Sequence, residues 1–478
     1  MQDASSPTPD RRISDQALAR TSGAQLHAGN RLTLLQNGDA TYNDWLRAIR
    51  GAQRWVHFEN YIFKNDQIGN KFADALAERA RAGVTVRVLY DWYGSMGVGR
   101  AFWNALRAQG VDVRTINPPQ LADPLGALRR DHRKLVAVDG VYGSVGGTGV
   151  ADPWLQRAPE TGLPYRDTAV AVNGPAVADI ERAFAGVWDL NGSTLPADER
   201  PNANEIAAVG DMAARVVAQE PGKMRISRLL QVLTASVERR IWIADAYFLA
   251  DRLLREALMA AAADGVDVRL LLPSTNDLAI VGAISRTSYR PLLEAGARIW
   301  EYRGPMMHAK TSVVDGWCSR IGSTNLNITG LMTNWEIDLV IEDAEFGAAM
   351  EDMFLADLED ASELTLDGRT VRGGHPRERI RTLARGSGAA VPTTMASLGG
   401  ALAQGALSDV LARNDRNLDA ALGGGSLLLA LVVARFPRVL SWPLATGLAL
   451  VGLTAFARAV RAARKLAMQP PPSTADDE

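Results

Sequence analysis

Two histidine–lysine pairs stand at the same place in a repeated pattern. His132-Arg133-Lys134, four residues, Asp139, six residues and Gly146-Gly147 recurs as His308-Ala309-Lys310, four residues, Asp315, six residues and Gly322-Ser323. The chain has 478 residues but only five histidines and six lysines, and two of each sit in these copies. Its other basic positions strongly favour Arg, so a Lys held twice at two residues from a His is a constraint. An imidazole beside an ammonium suits attack on a phosphodiester. The imidazole supplies a nucleophile or a proton, and the ammonium binds oxygens whose charge grows in the transition state.

The elements that must position these groups follow from the strand period. Leu135-Val136-Ala137-Val138 and Thr311-Ser312-Val313-Val314 are short, β-rich runs closed by Asp-Gly, which reads as a strand ending in a turn. Residues i and i+2 of a strand share a face, so His132 projects with Lys134 and His308 with Lys310. Asp139 and Asp315 join the candidate set as motif members. Their expected role is to stabilise the turn after the strand rather than to touch substrate.

The repeat runs well beyond the motif. Arg-Ala-Gly83-Val-Thr-Val-Arg87 returns as Ala-Asp-Gly265-Val-Asp-Val-Arg269, and the stretch around Glu59 and Tyr61 matches that around Asp245 and Tyr247. Helical spacing fills 70–81 and 253–263, and short strands follow at 111–116 and 297–300. Each copy reads as strand, helix, strand, helix, strand, then the H-x-K strand. The expected fold is α/β, with two tandem domains at 28–205 and 206–380 behind a polar segment at 1–27.

A histidine that alternates between neutral and charged forms works better with an acid fixing its tautomer. Asp167, 35 residues after His132, and Glu336, 28 residues after His308, occupy matching places before apolar β stretches. Glu59 and Asp245 end matched strands at the expected edge of the active site and are candidates for the substrate pocket.

A net charge of −2 argues against a nucleic-acid partner. The single cysteine, Cys318, has no partner in the chain for a disulfide and reads as an inert buried thiol. The first residues lack an apolar signal region, so no secretory signal is expected and the catalytic body is placed in the cytoplasm. Residues 381–425 read as a linker. Two apolar runs follow, 426–434 and 439–456, separated by Arg435-Phe-Pro-Arg438. The second run is uncharged and would span about 27 Å as a helix, just short of a ~30 Å hydrocarbon core. Basic residues to Lys465 suit anionic headgroups. Residues 426–478 are therefore expected to form an apolar helical tail that meets the membrane surface through 426–465. It would be re-entrant or a short span, because the arginines between the runs oppose a spanning hairpin.

The duplicated H-x-K-x4-D pattern resembles the phospholipase D superfamily. Glu59-Asn-Tyr-Ile-Phe, Ala244-Asp-Ala-Tyr-Phe, Tyr165-Arg-Asp-Thr, Gly322-Ser-Thr-Asn-Leu-Asn and Asn334-Trp-Glu-Ile-Asp resemble its bacterial cardiolipin synthase branch, over about residues 28 to 372. The resemblance implies two α/β halves related by a pseudo-twofold axis, sharing one active site that needs neither metal nor other cofactor. It implies that Asp167 orients His308 and Glu336 orients His132. It implies two-step phosphatidyl transfer through a phosphohistidine to phosphatidylglycerol, with Lys134, Lys310, Ser323, Thr324 and Asn325 on the phosphate oxygens. The nucleophile is assigned to His132 on resemblance alone. One departure stands out: Gly149 occupies the place where the pattern has an amide side chain. Competing readings are a phospholipase D that transfers to water or another alcohol, a nucleic-acid phosphodiesterase, and a catalytically lapsed membrane scaffold.

Overall fold

The computed structural model describes residues 13–118, 129–158, 161–275, 285–367 and 370–373. The expected linker and the apolar tail at 426–478 lie outside the described residues. Among the described residues no helix is long and apolar enough to cross a membrane.

The chain forms a mixed α/β sheet of sixteen strands. The first run comprises β1 (His27–Gln36), β2 (Trp55–Asn60), β3 (Thr85–Asp91), β4 (Asp112–Ile116), β5 (Lys134–Val138), β6 (Tyr142–Gly146) and β7 (Thr168–Asn173). The second comprises β8 (Met212–Gln219), β9 (Arg240–Ala244), β10 (Asp267–Pro273), β11 (Arg298–Tyr302), β12 (Thr311–Val314), β13 (Cys318–Gly322) and β14 (Glu336–Glu342). Two further strands, β15 (Ala361–Asp367) and β16 (Thr370–Gly373), follow. From its centre the sheet reads β1-β7-β6-β5-β2-β3-β4 in one direction and β8-β14-β13-β12-β9-β10-β11 in the other. The two orders are the same list, and β1 and β8 join them as an antiparallel pair. Within each run three strands are parallel (β2-β3-β4, β9-β10-β11) and connected through helices, as parallel strands require.

Burial explains the sequence patterns. Strand β5 is buried at every residue, so its apolar run is continuous rather than alternating. Helices Gln67–Arg81 and Arg252–Ala263 begin at Asp66 and Asp251, whose carboxylates accept from the Gly69 and Leu254 N–H groups. A middle core packs β6 and β7 with β13 and β14, around helices Val177–Trp188 and Ala344–Glu359. Outer cores lie under helices Asn37–Gly51 and Gln67–Arg81 on one side and under Arg225–Ala235 and Arg252–Ala263 on the other. Cys318 is buried on β13. The polar reading of the first residues misses a helix at Asp15–Ser22, whose Leu18 is buried in the outer core of the second run. One buried Leu in a polar stretch is too sparse to show a helical face.

Candidate active site

Both H-x-K segments enter the fold by pairing with the other run. The His132 N–H donates to the Trp335 carbonyl at 2.9 Å, and the His308 N–H donates to the Arg166 carbonyl at 2.7 Å. Isolated parallel bridges, Asp131 with Trp335 and Arg166 with Met307, fix the same register twice. Each histidine therefore lands one residue from the acid of the opposite run.

The acids use that placement. His132 Nδ1 lies 3.0 Å from Glu336 Oε2, and His308 Nδ1 lies 2.8 Å from Asp167 Oδ2. Both carboxylates are wholly buried, and the two histidines are 7% and 5% exposed. Neither Nε2 has a hydrogen-bond partner among the described residues. An acid on Nδ1 selects the tautomer whose Nε2 lone pair is free. Lys134 and Lys310 are buried beside their histidines, and each ammonium donates to the carbonyl of its own His. Tyr61 packs edge-on to His132 with ring centroids 4.6 Å apart, and Tyr247 lies 6.3 Å from His308.

The charges join the two clusters. Burial, then Lys134 and Lys310, hold the His132 imidazole well below its usual pKa. Burial and then Lys310 push His308 down to about 4, with Lys134 adding and Asp167 opposing. Each histidine thus feels the lysine of the other pair. Burial, aided by Lys310, lowers Lys134 to about 7. For the acids, burial works against both negative charges. It prevails at Glu336, raised to about 7, whereas His308 and Lys310 overcome it at Asp167, whose pKa falls. The pocket sets neutral imidazoles beside two buried lysines, and an entering anion would favour the charged form of both lysines. Among the described residues no group of three or more His, Cys, Asp or Glu could hold a metal.

Several expected site residues stand elsewhere. Asp139 and Asp315 lie at the far ends of β5 and β12, about 16 Å along the strand from the lysines. Asp139 accepts the N–H groups of Gln53, Arg54 and Trp55, and Asp315 accepts those of Glu238, Arg239 and Arg240. Both take left-handed backbone before a left-handed Gly, as a tight hairpin turn needs. Asp315→Ala is expected to cost about 2 kcal/mol of stability and leave kcat within about twofold. Thermal melts beside a turnover assay test this.

Ser323 offers no hydroxyl to a ligand. Its Oγ donates to Glu336 Oε2 at 2.5 Å and accepts the Ile337 N–H, because a buried carboxylate needs donors. Among the described residues Thr324 Oγ1, Asn325 Oδ1 and, in the first motif, Thr148 Oγ1 are buried without a hydrogen-bond partner.

Glu59 and Asp245 are not register mates. Glu59 pairs with Leu135, and the corresponding Thr311 pairs with Ala244. The mate of Asp245 is Asn60: both accept the N–H two residues on, from Tyr247 and Ile62. A slip of one residue turns a side chain to the other face of the sheet. Glu59 is fully buried next to Asp131 and 4.0 Å from Arg133, and burial followed by Asp131 raises its pKa well above the usual range. The Arg133 guanidinium donates to the Glu336, Ala183 and Gln219 carbonyls, tying the runs together. Asp245 is a loop anchor, since its carboxylate also accepts the Leu326 N–H. Sequence reading missed Trp154 and Asn334, which donate to the two acids. Asn334 lies two residues from Glu336 in a stretch already quoted for the family resemblance; Trp154 has no counterpart in the second motif.

The family model "Cardiolipin synthase, PLD-like domain" matches residues 229–358. A "Probable cardiolipin synthase" of Bacillus subtilis (strain 168) is 31% identical over 356 residues, covering 74% of this chain and 71% of that protein. The chain belongs to the cardiolipin synthase family. It is an enzyme of the phospholipase D-type phosphatidyltransferases. Cardiolipin synthase 1 of Bacillus cereus (strain ATCC 14579) is 33% identical over 348 residues, covering 69% of this chain and 67% of that relative. The fold is shared with the crystal structure of a phosphatidylserine synthase of Haemophilus influenzae Rd KW20. The TM-score is 0.58 at 14% identity, over 73% of this chain and 91% of that one.

Proposed function

We propose that this enzyme moves a phosphatidyl group from a phospholipid to phosphatidylglycerol, making cardiolipin by double displacement at one site shared by its two halves. One histidine attacks phosphorus through Nε2, and the P–O bond to the donor headgroup breaks. The other histidine gives its proton to the departing alkoxide, and so becomes neutral. It then takes the proton of the incoming glycerol hydroxyl, whose oxygen attacks phosphorus and breaks the P–N bond. Lys134, Lys310 and Asn325, with Thr324 and Thr148, hold the non-bridging oxygens. The bound anion raises both imidazole pKa values, which lets one of them carry the proton that the empty pocket disfavours.

The crossed pairing of His132 with Glu336 and His308 with Asp167 carries this reading. It makes each half incomplete without the other. The tandem-domain reading, 28–205 and 206–380 about a pseudo-twofold axis, draws support from the matching strand orders and the paired bridges. In the same reading the tail at 426–478 keeps the cleft at a bilayer where both lipids sit, with the catalytic body on the cytoplasmic side.

Purified enzyme given phosphatidylglycerol labelled in its acyl chains is expected to yield labelled cardiolipin, in EDTA as well as without it. Phosphatidic acid as the main product would indicate transfer to water, and cleaved DNA with inert lipid would end the lipid reading. Deleting 424–478 is expected to leave turnover of detergent-dispersed lipid intact and to weaken binding to anionic vesicles. Unchanged vesicle binding would remove the anchor.

A further inference from the structure

A buried carboxylate that orients a histidine needs other donors to fix it, and the two halves supply them differently. Glu336 receives the Ser323 hydroxyl at 2.5 Å and the Asn334 amide at 3.1 Å. In the first motif Gly147 stands where the second has Ser323. A Cβ there would lie 2.2 Å from Asp167 Oδ1, so no side chain fits. Asp167 is served from elsewhere. Trp154 Nε1 donates to Oδ2 at 2.7 Å, the same oxygen that meets His308 Nδ1 at 2.8 Å, and the Thr168 N–H takes Oδ1 at 2.8 Å.

Gly149 makes room for that indole. A Cβ at 149 would come within 2.8 Å of Trp154 Cη2 and 3.0 Å of Ile62 Cβ, so the amide side chain of the family pattern and this ring exclude one another. Trp154 is 3% exposed and stands edge-on to His308, centroids 5.3 Å apart at 88°. We infer that Trp154 is a positioning residue for His308, acting through Asp167, and that Gly147 and Gly149 are the space it occupies. The departure at 149 is then an exchange: a rigid indole N–H fixes the acid in the half that lacks the serine hydroxyl. An indole donates and cannot accept or ionise, so it holds Asp167 without competing for the proton that His308 handles.

This inference rests on the reading of Asp167 and His308 as a working pair. Trp154→Phe keeps most of the ring and removes the donor. In the full-length enzyme with phosphatidylglycerol in mixed micelles, it is expected to lower kcat about tenfold, the value of one hydrogen bond to a charged group, with KM within twofold. In an Asp167→Ala background the same change is expected to alter kcat by less than twofold, because the acceptor through which Trp154 acts is gone. If Trp154→Phe does not fold, benzothienylalanine at 154 replaces the N–H by sulfur in the same bicycle and carries the same expectation. Unchanged kcat, a rise in KM alone, or a full effect persisting beside Asp167→Ala would overturn the role of Trp154. Wild-type rates in both Asp167→Asn and His308→Ala would instead overturn the pair itself.

Discussion

Replacing either His132 or His308 by Ala is expected to lower cardiolipin formation by about 10⁴-fold or more, and the double variant should be no worse than the worse single. The reason is geometric. Each imidazole spends Nδ1 on an acid of the opposite run and leaves Nε2 without a partner among the described residues, so under the proposed mechanism the two act as one unit. Two independent sites would behave otherwise, each single variant keeping about half the rate. Turnover of labelled phosphatidylglycerol by proteins with matched melting temperatures separates the outcomes. A single variant that retains half the activity would break the shared-site reading.

Changing the acids to amides is the second large effect. Asp167→Asn and Glu336→Gln leave shape nearly intact but allow the wrong tautomer, and kcat is expected to fall between about 10²- and 10⁴-fold with little change in KM. Stability should move the other way at Glu336. Burial raises its pKa to about 7, above the ordinary value of 4.5. A raised carboxyl contributes stability below its unfolded pKa and loses it as pH climbs through the folded one. Relative to Glu336→Gln, the wild type should thus lose stability between about pH 4.5 and 7, by about 3 kcal/mol. Denaturant melts of the two proteins at pH 4.5 and 8 test this, and an equal gap at both pH values would contradict it.

What was legible in the sequence was what the repeat states twice. The His–Lys pairs and their Asp-Gly turns recur at matched offsets, the strand and helix succession recurs in order, and the two acids stand before corresponding strands although their offsets differ; the fold uses them at matched places. What failed was reading identity of type as identity of position. Glu59 and Asp245 look like mates because both are acids, but the hydrogen-bond register makes Asn60 the counterpart of Asp245 and turns Glu59 to another face. Ser323 resembled a phosphate donor and instead serves Glu336, since only the fold reveals which buried carboxylate lacks a partner. Trp154 was invisible for the opposite reason. It compensates for side chains the first half lacks, and a compensation breaks the repeat that guides the reading.

The stereochemical course at phosphorus bears most directly on double displacement at one site. A phosphatidylglycerol donor with a phosphorothioate of single configuration would be converted to thio-cardiolipin by the full-length enzyme and its configuration read. Two in-line steps through a phosphohistidine invert phosphorus twice, so overall retention is expected. Inversion would mean direct transfer between the two lipids, with no covalent intermediate on either His132 or His308.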